Sequence, residues 1–369
     1  MAKTSPTLDL HFIGGAEGES IVIRFPDGQW AVVDAYSRNL KDATANQTVA
    51  FLKEKEVSDL AFVCLTHPHE DHYCGLRQVL EHPKWRVHAV WRPAALPHQL
   101  FKDWVKAILK WREKDGSARA RAEASELTDL FAHVNTRADI AKARLQVDVI
   151  DPPLKRCFPK ADESASPPTY EVILFAPQSG QVGIYEGEIN RAMDRADPEK
   201  LYNLANAISI GLVIRYGDTC VVLSGDMTNS AWSEIESRLD GTKCSLHVVK
   251  VPHHGSKTGY TQARWRRHCS REQTVAVVFP FHRYQLPKAD SRAFFASEAA
   301  SVKYTVHPEP KQTLVTDDAG IGDHASILVR QEFKARQVRF ATGRWSLSLS
   351  SGGVIESASA YGDATEISV

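Results

Sequence analysis

The sequence predicts a layered α/β protein, and three observations carry that expectation. Short apolar runs with strand character alternate with segments of helical spacing. Several of those runs end directly in Asp or His, which is where layered α/β proteins commonly place their chemistry. The composition, 43% apolar and 24% charged over 369 residues, is globular and long enough for one large domain or two ordinary ones.

The elements follow in order. Residues 8–35 read as paired strands: "SIVIRF" alternates, "PDG" is a turn signal, and "QWAVVDA" is a second apolar run that ends near Asp34. "NQTVAFLKEKE" has helical spacing, and "DLAFVCLT" is a continuous apolar run of the kind buried on both faces. "GLRQVLEH" reads as a helix and "RVHAVWRP" as the next strand. From 92 to 200 the texture changes. "HQLFKDWVKAILKWREK" and "ARAEASELTDLFAHV" are helical, and "DPPLKRCFPKADESASPP" reads as an exposed connection. We expect this segment to be a mainly helical insertion, a cap within a single domain spanning 1–369. "AISIGLVIRYGDTCVVLSGD" returns to strand, turn and strand. "NSAWSEIESRL" reads as a helix, "SLHVVKVPHHG" and "TVAVVFPFH" as strands. The stretch "SILVRQEFKARQVRFATGRWSLSLSSGG" alternates like edge hairpins.

Charge and composition exclude some functions. Lys+Arg and Asp+Glu balance at 45 each, so a whole-surface attraction to nucleic acid is not expected. No apolar run approaches the roughly 20 residues needed to span a bilayer. The N-terminus lacks the basic-then-apolar pattern of a signal peptide, and a cytoplasmic location without membrane partners is the expectation. The six cysteines are scattered without a CxxC pair and read as reduced thiols.

The densest chemistry lies in "THPHEDHYCGL". His67, His69, Asp71 and His72 crowd into one loop after a buried strand. Neutral imidazole and carboxylate are the usual ligands of zinc, manganese and iron, and a cation would offset the cost of crowding them. Asp226 in "VVLSGDM" ends another apolar run, where it serves either as a ligand or as a helix N-cap. His253 and His254 end a third run, followed by Gly255.

On these motifs the chain resembles the metallo-β-lactamase-fold hydrolases, and is most similar to the branch that contains the hydrolase domain of the competence protein ComEC and bacterial phosphorylcholine esterases. The resemblance runs from "GGAEGESIVIRFPDGQWAVVDAY" through "THPHEDHYCGL", "NAISIGLVIRYGDTCVVLSGDM" and "VVKVPHHGSKTG" to a weak match at "LVTDDAGIG". It implies an αββα sandwich with the metal site at one edge. It implies two divalent metal ions, zinc first and manganese as the tolerated second. His67 and His69 would hold one ion. Asp71, His72 and one of His253 or His254 would hold the other, and Asp226 would bridge them. Asp34 would support the ligand loop from behind. Where many members supply a further histidine, this chain has Asn206, a weaker amide ligand. His88, His98 and His133 fall in that interval without a convincing strand-end context.

The implied reaction is hydrolysis by metal-bound hydroxide, with Asp71 and Asp226 carrying catalysis through the ions. No G-x-S-x-G or Walker A element offers another route. The branch favours a phosphodiester, in nucleic acid or a smaller molecule, so the expected activity is that of a phosphodiesterase or nuclease. A lactonase or thioesterase type of carbon–oxygen or amide hydrolase is the alternative. Lys257, Thr258, Tyr260, His282 and Arg283 are the expected substrate contacts. The basic run "ARWRRHCSR" reads either as a backbone-binding strip or as a solvated helix face.

Overall fold

The computed structural model describes residues 6–93, 107, 110, 118–141, 155–159, 169–177, 179–195, 198–230, 232, 246–309 and 342–367. Two large sheets form its centre. One contains β1 (Leu8–Gly15), β2 (Gly18–Arg24), β3 (Trp30–Val33), β5 (Phe62–Cys64), β7 (Val90–Trp91), β15 (Thr342–Leu349) and β16 (Ile355–Gly362), in the order β16-β15-β1-β2-β3-β5-β7. Between these in sequence, β4 (Asp59–Leu60) and β6 (Arg86–Val87) make a small parallel pair. The other large sheet contains β8 (Lys155–Phe158), β9 (Tyr170–Ala176), β10 (Gly211–Tyr216), β11 (Thr219–Leu223), β12 (Val248–Lys250), β13 (Val275–Val278), β14 (Ser301–Tyr304) and β17 (Thr365–Ile367). Its order is β17-β14-β13-β12-β11-β10-β9-β8.

Alternation along the strands divides the apolar residues into three layers. Leu10, Phe12, Ile21, Ile23, Val33 and Phe62 of the first sheet pack between the sheets against Val172, Leu212, Val221, Val248 and Val277 of the second. The outer face of the first sheet, with Val22, Val32 and Val63, is covered by α1 (Gln47–Glu54), α3 (Leu76–Leu80), α4 (Ala118–Ala141) and α5 (Ser179–Asp194). A single helical turn, α2 (Glu70–Tyr73), precedes α3, and α6 (Pro198–Asn203) follows α5. The outer face of the second sheet, with Val213, Val222, Val249 and Ala276, packs on α7 (Gln262–His268) and α8 (Ala289–Glu298). This is the αββα sandwich of the metallo-β-lactamase fold.

Local chemistry explains the boundaries. Asn46 caps α1, its side chain accepting from Thr48 N and Val49 N. Thr261 caps α7 through Arg264 N. In α7 the basic run buries Trp265, while Arg264 bonds Asn229 O and Arg266 pairs with Glu298.

The structure departs from expectation between 92 and 200. The stretch expected to be an exposed connection supplies β8, and "YEVILFA" supplies β9, both in the second sheet. Tyr170, Val172 and Leu174 face the inter-sheet core while Ile173 and Phe175 face the helices, so a continuous apolar run is what that position demands. The helical character holds for α4 to α6. Most of the helix expected at 98–114, the match at "LVTDDAGIG" and most of "NSAWSEIESRL" lie outside the described residues. No helix among the described residues is long and apolar enough to cross a membrane.

His11 on β1 is buried against Phe51 and Trp30, with its Nδ1 2.9 Å from Ser346 Oγ. Burial drives its pKa from 6.5 to about 4; Asp9 opposes the shift and Arg344 adds to it. The unfolded chain therefore takes this proton first. The stability from a neutral His11 is complete above pH 6.5 and is lost as pH falls towards 4. His11→Gln should remove about 3 kcal/mol of the acid sensitivity in that window, at roughly 1.4 kcal/mol per pKa unit. Urea unfolding at stepped pH tests this, and an unchanged pH slope would count against it.

Candidate metal centre

The site forms where strands of both sheets stop. Asp34 follows β3, the histidine loop follows β5, Asp226 follows β11, and His253 and His254 follow β12. In both sheets these strands run parallel to a neighbour, so their carboxyl ends share one edge.

Asp34 is the support of the histidine loop. It adopts a left-handed φ of 56°, which Asp tolerates better than most residues. One carboxylate oxygen accepts from Thr66 N at 2.8 Å. The other accepts from Thr66 Oγ1 at 2.6 Å and from His72 Nδ1 at 2.8 Å. With its hydroxyl hydrogen given to Asp34, Thr66 Oγ1 is an acceptor for His67 Nδ1 at 3.1 Å. His69 donates from Nε2 to the Tyr202 carbonyl at 2.9 Å and stacks on the Tyr202 ring. His254 donates from Nδ1 to the Phe279 carbonyl at 3.0 Å.

These bonds set the tautomers. In each ring one nitrogen carries its proton to an outer acceptor, which leaves the other nitrogen for the centre. His254 Nε2 lies 2.8 Å from Asp71 Oδ2 and 3.4 Å from Asp226 Oδ2. His72 Nε2 lies 3.3 Å from Asp71 Oδ2 and 3.5 Å from Asp226 Oδ1. His67 Nε2 is 4.0 Å from Asp226 Oδ2. The inner nitrogens of His67 and His72 are buried without a hydrogen-bond partner. Imidazole nitrogens and carboxylate oxygens thus face one another among buried groups, an arrangement that positive charge between them would stabilise.

The pKa shifts follow from the same crowding of buried charges. Burial pushes the Asp71 and Asp226 carboxyls up, yet both are held well below the usual range, Asp71 first by His72 and Asp226 first by His254. Burial pushes His254 down, but Asp226 and Asp71 raise it to about 10. His72 is likewise raised well above its ordinary value, chiefly by Asp71 against the pull of burial. In the bare chain these protons supply the charge, and a divalent cation displaces such protons at the same nitrogens. The donor set, imidazole with carboxylate, fits a zinc-like or iron-like ion.

His253 and His254 have successive φ angles of 49° and 53°. Left-handed backbone at a non-glycine costs on the order of 1–3 kcal/mol per residue and concentrates at functional sites. The strain sends the two rings different ways. His254 is buried against both carboxylates. His253 is about a quarter exposed, its Nε2 4.0 Å from Asp226 and 3.5 Å from Asn206 Nδ2, with Nδ1 2.8 Å from Thr258 Oγ1. The Asn206 amide oxygen is buried without a partner.

The other expected contacts are spread out. Arg283 bonds Glu70 Oε1 at 2.9 Å, and Tyr202 donates its hydroxyl to the same carboxylate, so both stand at the ligand turn. Lys257 is highly exposed and paired with Asp290. His282 donates to the His307 carbonyl at 2.9 Å. Tyr260 is a core side chain: its ring packs on Phe294 and Phe295.

Sequence reasoning missed Glu19 and Lys250. Four groups, Glu19, His72, Asp226 and His254, offer ligand atoms within 4.8 Å of one another. Glu19, however, approaches the outer nitrogens, 3.5 Å from His72 Nδ1 and 3.8 Å from His254 Nδ1, whereas the carboxylates of Asp71 and Asp226 face the inner ones. Glu19 therefore stands behind the histidines, and its firmest partner is Lys250 Nζ at 2.8 Å.

Residues 13–188, just under half of the chain, match the model of the metallo-beta-lactamase superfamily. No curated protein matches the chain. Among solved structures it is similar to a mutant of the CmlA β-hydroxylase, at 15% identity and a TM-score of 0.34, over 75% of this chain and 46% of that one. It is also similar to CmlA, a diiron β-hydroxylase from Streptomyces venezuelae, at 17% identity and a TM-score of 0.33, over 74% and 45%. The chain spans less than half the length of either structure.

Asp34→Asn keeps the backbone conformation accessible but removes the charge that three donors share. It should weaken divalent-metal uptake about tenfold or more while the far-ultraviolet spectrum stays native. Competition with a chelating dye measures this, and wild-type affinity in the variant would refute the supporting role of Asp34.

Proposed function

We propose that the chain is a metal-dependent hydrolase of the ComEC-like branch that cleaves a phosphodiester, in a short single strand or a smaller molecule. One observation carries the reading. Inner imidazole nitrogens converge on the two buried carboxylates Asp71 and Asp226, with their outer N–H groups tied down by Asp34, Thr66 and the Phe279 carbonyl. His67, His69 and Asp226, with Asn206 and His253 beside them, would hold one divalent ion. Asp71, His72, His254 and Asp226 would hold the other. When bound, such ions supply Lewis acidity that makes water nucleophilic at neutral pH and stabilises charge on the attacked oxygens.

The chain's own residues then position and select. His253, partly exposed and hydrogen-bonded to Thr258, is the imidazole placed to accept or return a proton at Nε2. Arg283 is about one-third exposed and reaches the ligand turn through Glu70, which makes it the cation best placed to meet a substrate phosphoryl oxygen. Lys257 has its own partner in Asp290 and is the weaker candidate. We also assign the helical part of residues 92–200 to the wall of the cleft. Support comes from Tyr73 donating to the Glu123 carbonyl at 2.9 Å. The motif "KVPHHGSKTG" supports the phosphodiester class, and the balance of charge favours a compact substrate over a long nucleic-acid footprint.

Purified chain should contain transition metal by elemental analysis, and chelation should abolish hydrolysis. Asp71→Ala and Asp226→Ala should each lower kcat by roughly two orders of magnitude or more, with metal content reduced. The substrate class is tested on bis(p-nitrophenyl) phosphate and single-stranded nucleic acid against lactones and thioesters. Turnover of lactones or thioesters alone would replace the phosphodiester reading with a carbon–oxygen hydrolase. Full activity without metal would remove both.

A further inference from the structure

Glu19 and Lys250 occupy positions where the strand pattern calls for apolar residues. On β2, Glu19 shares its face with Ile21 and Ile23, which pack between the sheets. On β12, Lys250 shares its face with Val248, which packs in the same layer. Both charged side chains are therefore buried in the sandwich interior, Glu19 at 1% and Lys250 at 0% exposure. Lys250 Nζ uses all three of its donors: Gly225 O at 2.7 Å, Glu19 Oε1 at 2.8 Å and Asp226 Oδ1 at 3.2 Å. A pair that merely joined two sheets would be no better than two apolar residues at these positions. The third contact distinguishes this one, because it ends on a carboxylate of the metal centre.

We infer that Glu19 and Lys250 are positioning residues that set the ligand strength of Asp226. This rests on the metal-centre reading above. The ammonium bonds Asp226 Oδ1, the oxygen that also faces His72 Nε2 at 3.5 Å, and so competes with any cation for it. Glu19 holds the same ammonium at a shorter distance and draws its charge away from Asp226. The remaining oxygen, Oδ2, faces His254 at 3.4 Å and His67 and His253 at 4.0 Å. The pair thus orients the carboxylate and leaves its two oxygens unequal. Glu19 acts chiefly through Lys250 at 2.8 Å, lying farther from the outer nitrogens of His72 at 3.5 Å and His254 at 3.8 Å.

Charge and shape give opposite expectations, which makes the inference testable on the full chain. The probe is zinc, titrated into metal-stripped protein against a chromophoric chelator, with a thermal melt for each variant. Glu19→Gln keeps the shape but removes the charge, so Lys250 falls wholly on Asp226. Its zinc affinity should drop about tenfold or more. Glu19→Asp keeps the charge but shortens the side chain, and should bind zinc more tightly than Glu19→Gln although it packs less well. Adding Lys250→Met to Glu19→Gln removes the competing ammonium and should recover affinity towards wild type. A purely structural pair predicts the reverse order, with the isosteric Glu19→Gln the least affected. If Glu19→Gln binds zinc as tightly as Glu19→Asp or more tightly, in folded proteins, the inference is wrong. Should the wild-type chain take up no zinc, manganese or iron, the metal-centre reading fails and takes this inference with it.

Discussion

The negative charge of Asp71 and Asp226, buried where the two sheets end, is the constraint around which the rest of the site is arranged. Both carboxylates are buried; Asp71 points at imidazole nitrogens, and Asp226 at imidazole nitrogens and the Lys250 ammonium. An uncompensated buried charge costs several kcal/mol, so such a pair persists only if something positive is held among them. Each neighbouring side chain helps to meet that condition. The histidines offer nitrogens, Asp34 and the Phe279 carbonyl hold those rings in one orientation, and Lys250 contributes a fixed ammonium from behind.

The sandwich makes this arrangement affordable. Parallel strands β3 and β5 of one sheet, and β11 and β12 of the other, finish at the same edge, so residues far apart in sequence arrive on rigid supports. Beneath them lies a continuous apolar layer from both sheets. Its burial, at about 25 cal/mol per Å² of apolar surface, is the reserve against which strain at the edge is set. That strain is visible in the left-handed backbone at Asp34, His253 and His254. The kink at the histidine pair is what turns one ring into the centre and leaves the other at the opening.

Glu70 lies between two metal-centre residues in sequence, but its carboxylate points to Arg283 and Tyr202. One short helical turn therefore presents ligands on one side and a charged rim on the other. Glu17, Arg38 and Arg119 extend that rim through ion pairs at 2.9–3.1 Å.

Much of this was readable from local pattern. The spacing of His67, His69, Asp71 and His72 after an apolar run places them on one loop, whatever the rest of the chain does. Asp226 and the histidine pair also end apolar runs, and strand ends are local features. The αββα layering came from resemblance carried by those motifs. Other features depend on which strands become neighbours. The alternation of "GESIVIR" and "VVK" turns Glu19 and Lys250 inward, yet only the facing of β2 and β12 across the interior makes them partners of each other and of Asp226. The choice between His253 and His254 follows from backbone angles that no residue type dictates. Strand β8 was hidden because the Pro- and Ser-rich stretch that contains it reads as a connection, and only pairing with β9, itself paired to β10, gives that segment its place. Residue types and their periodicity specify which groups can bind a cation. The geometry that makes them a candidate metal centre, with inner nitrogens opposed to buried carboxylates, arises from contacts between distant segments, and these exist only once the two sheets have packed.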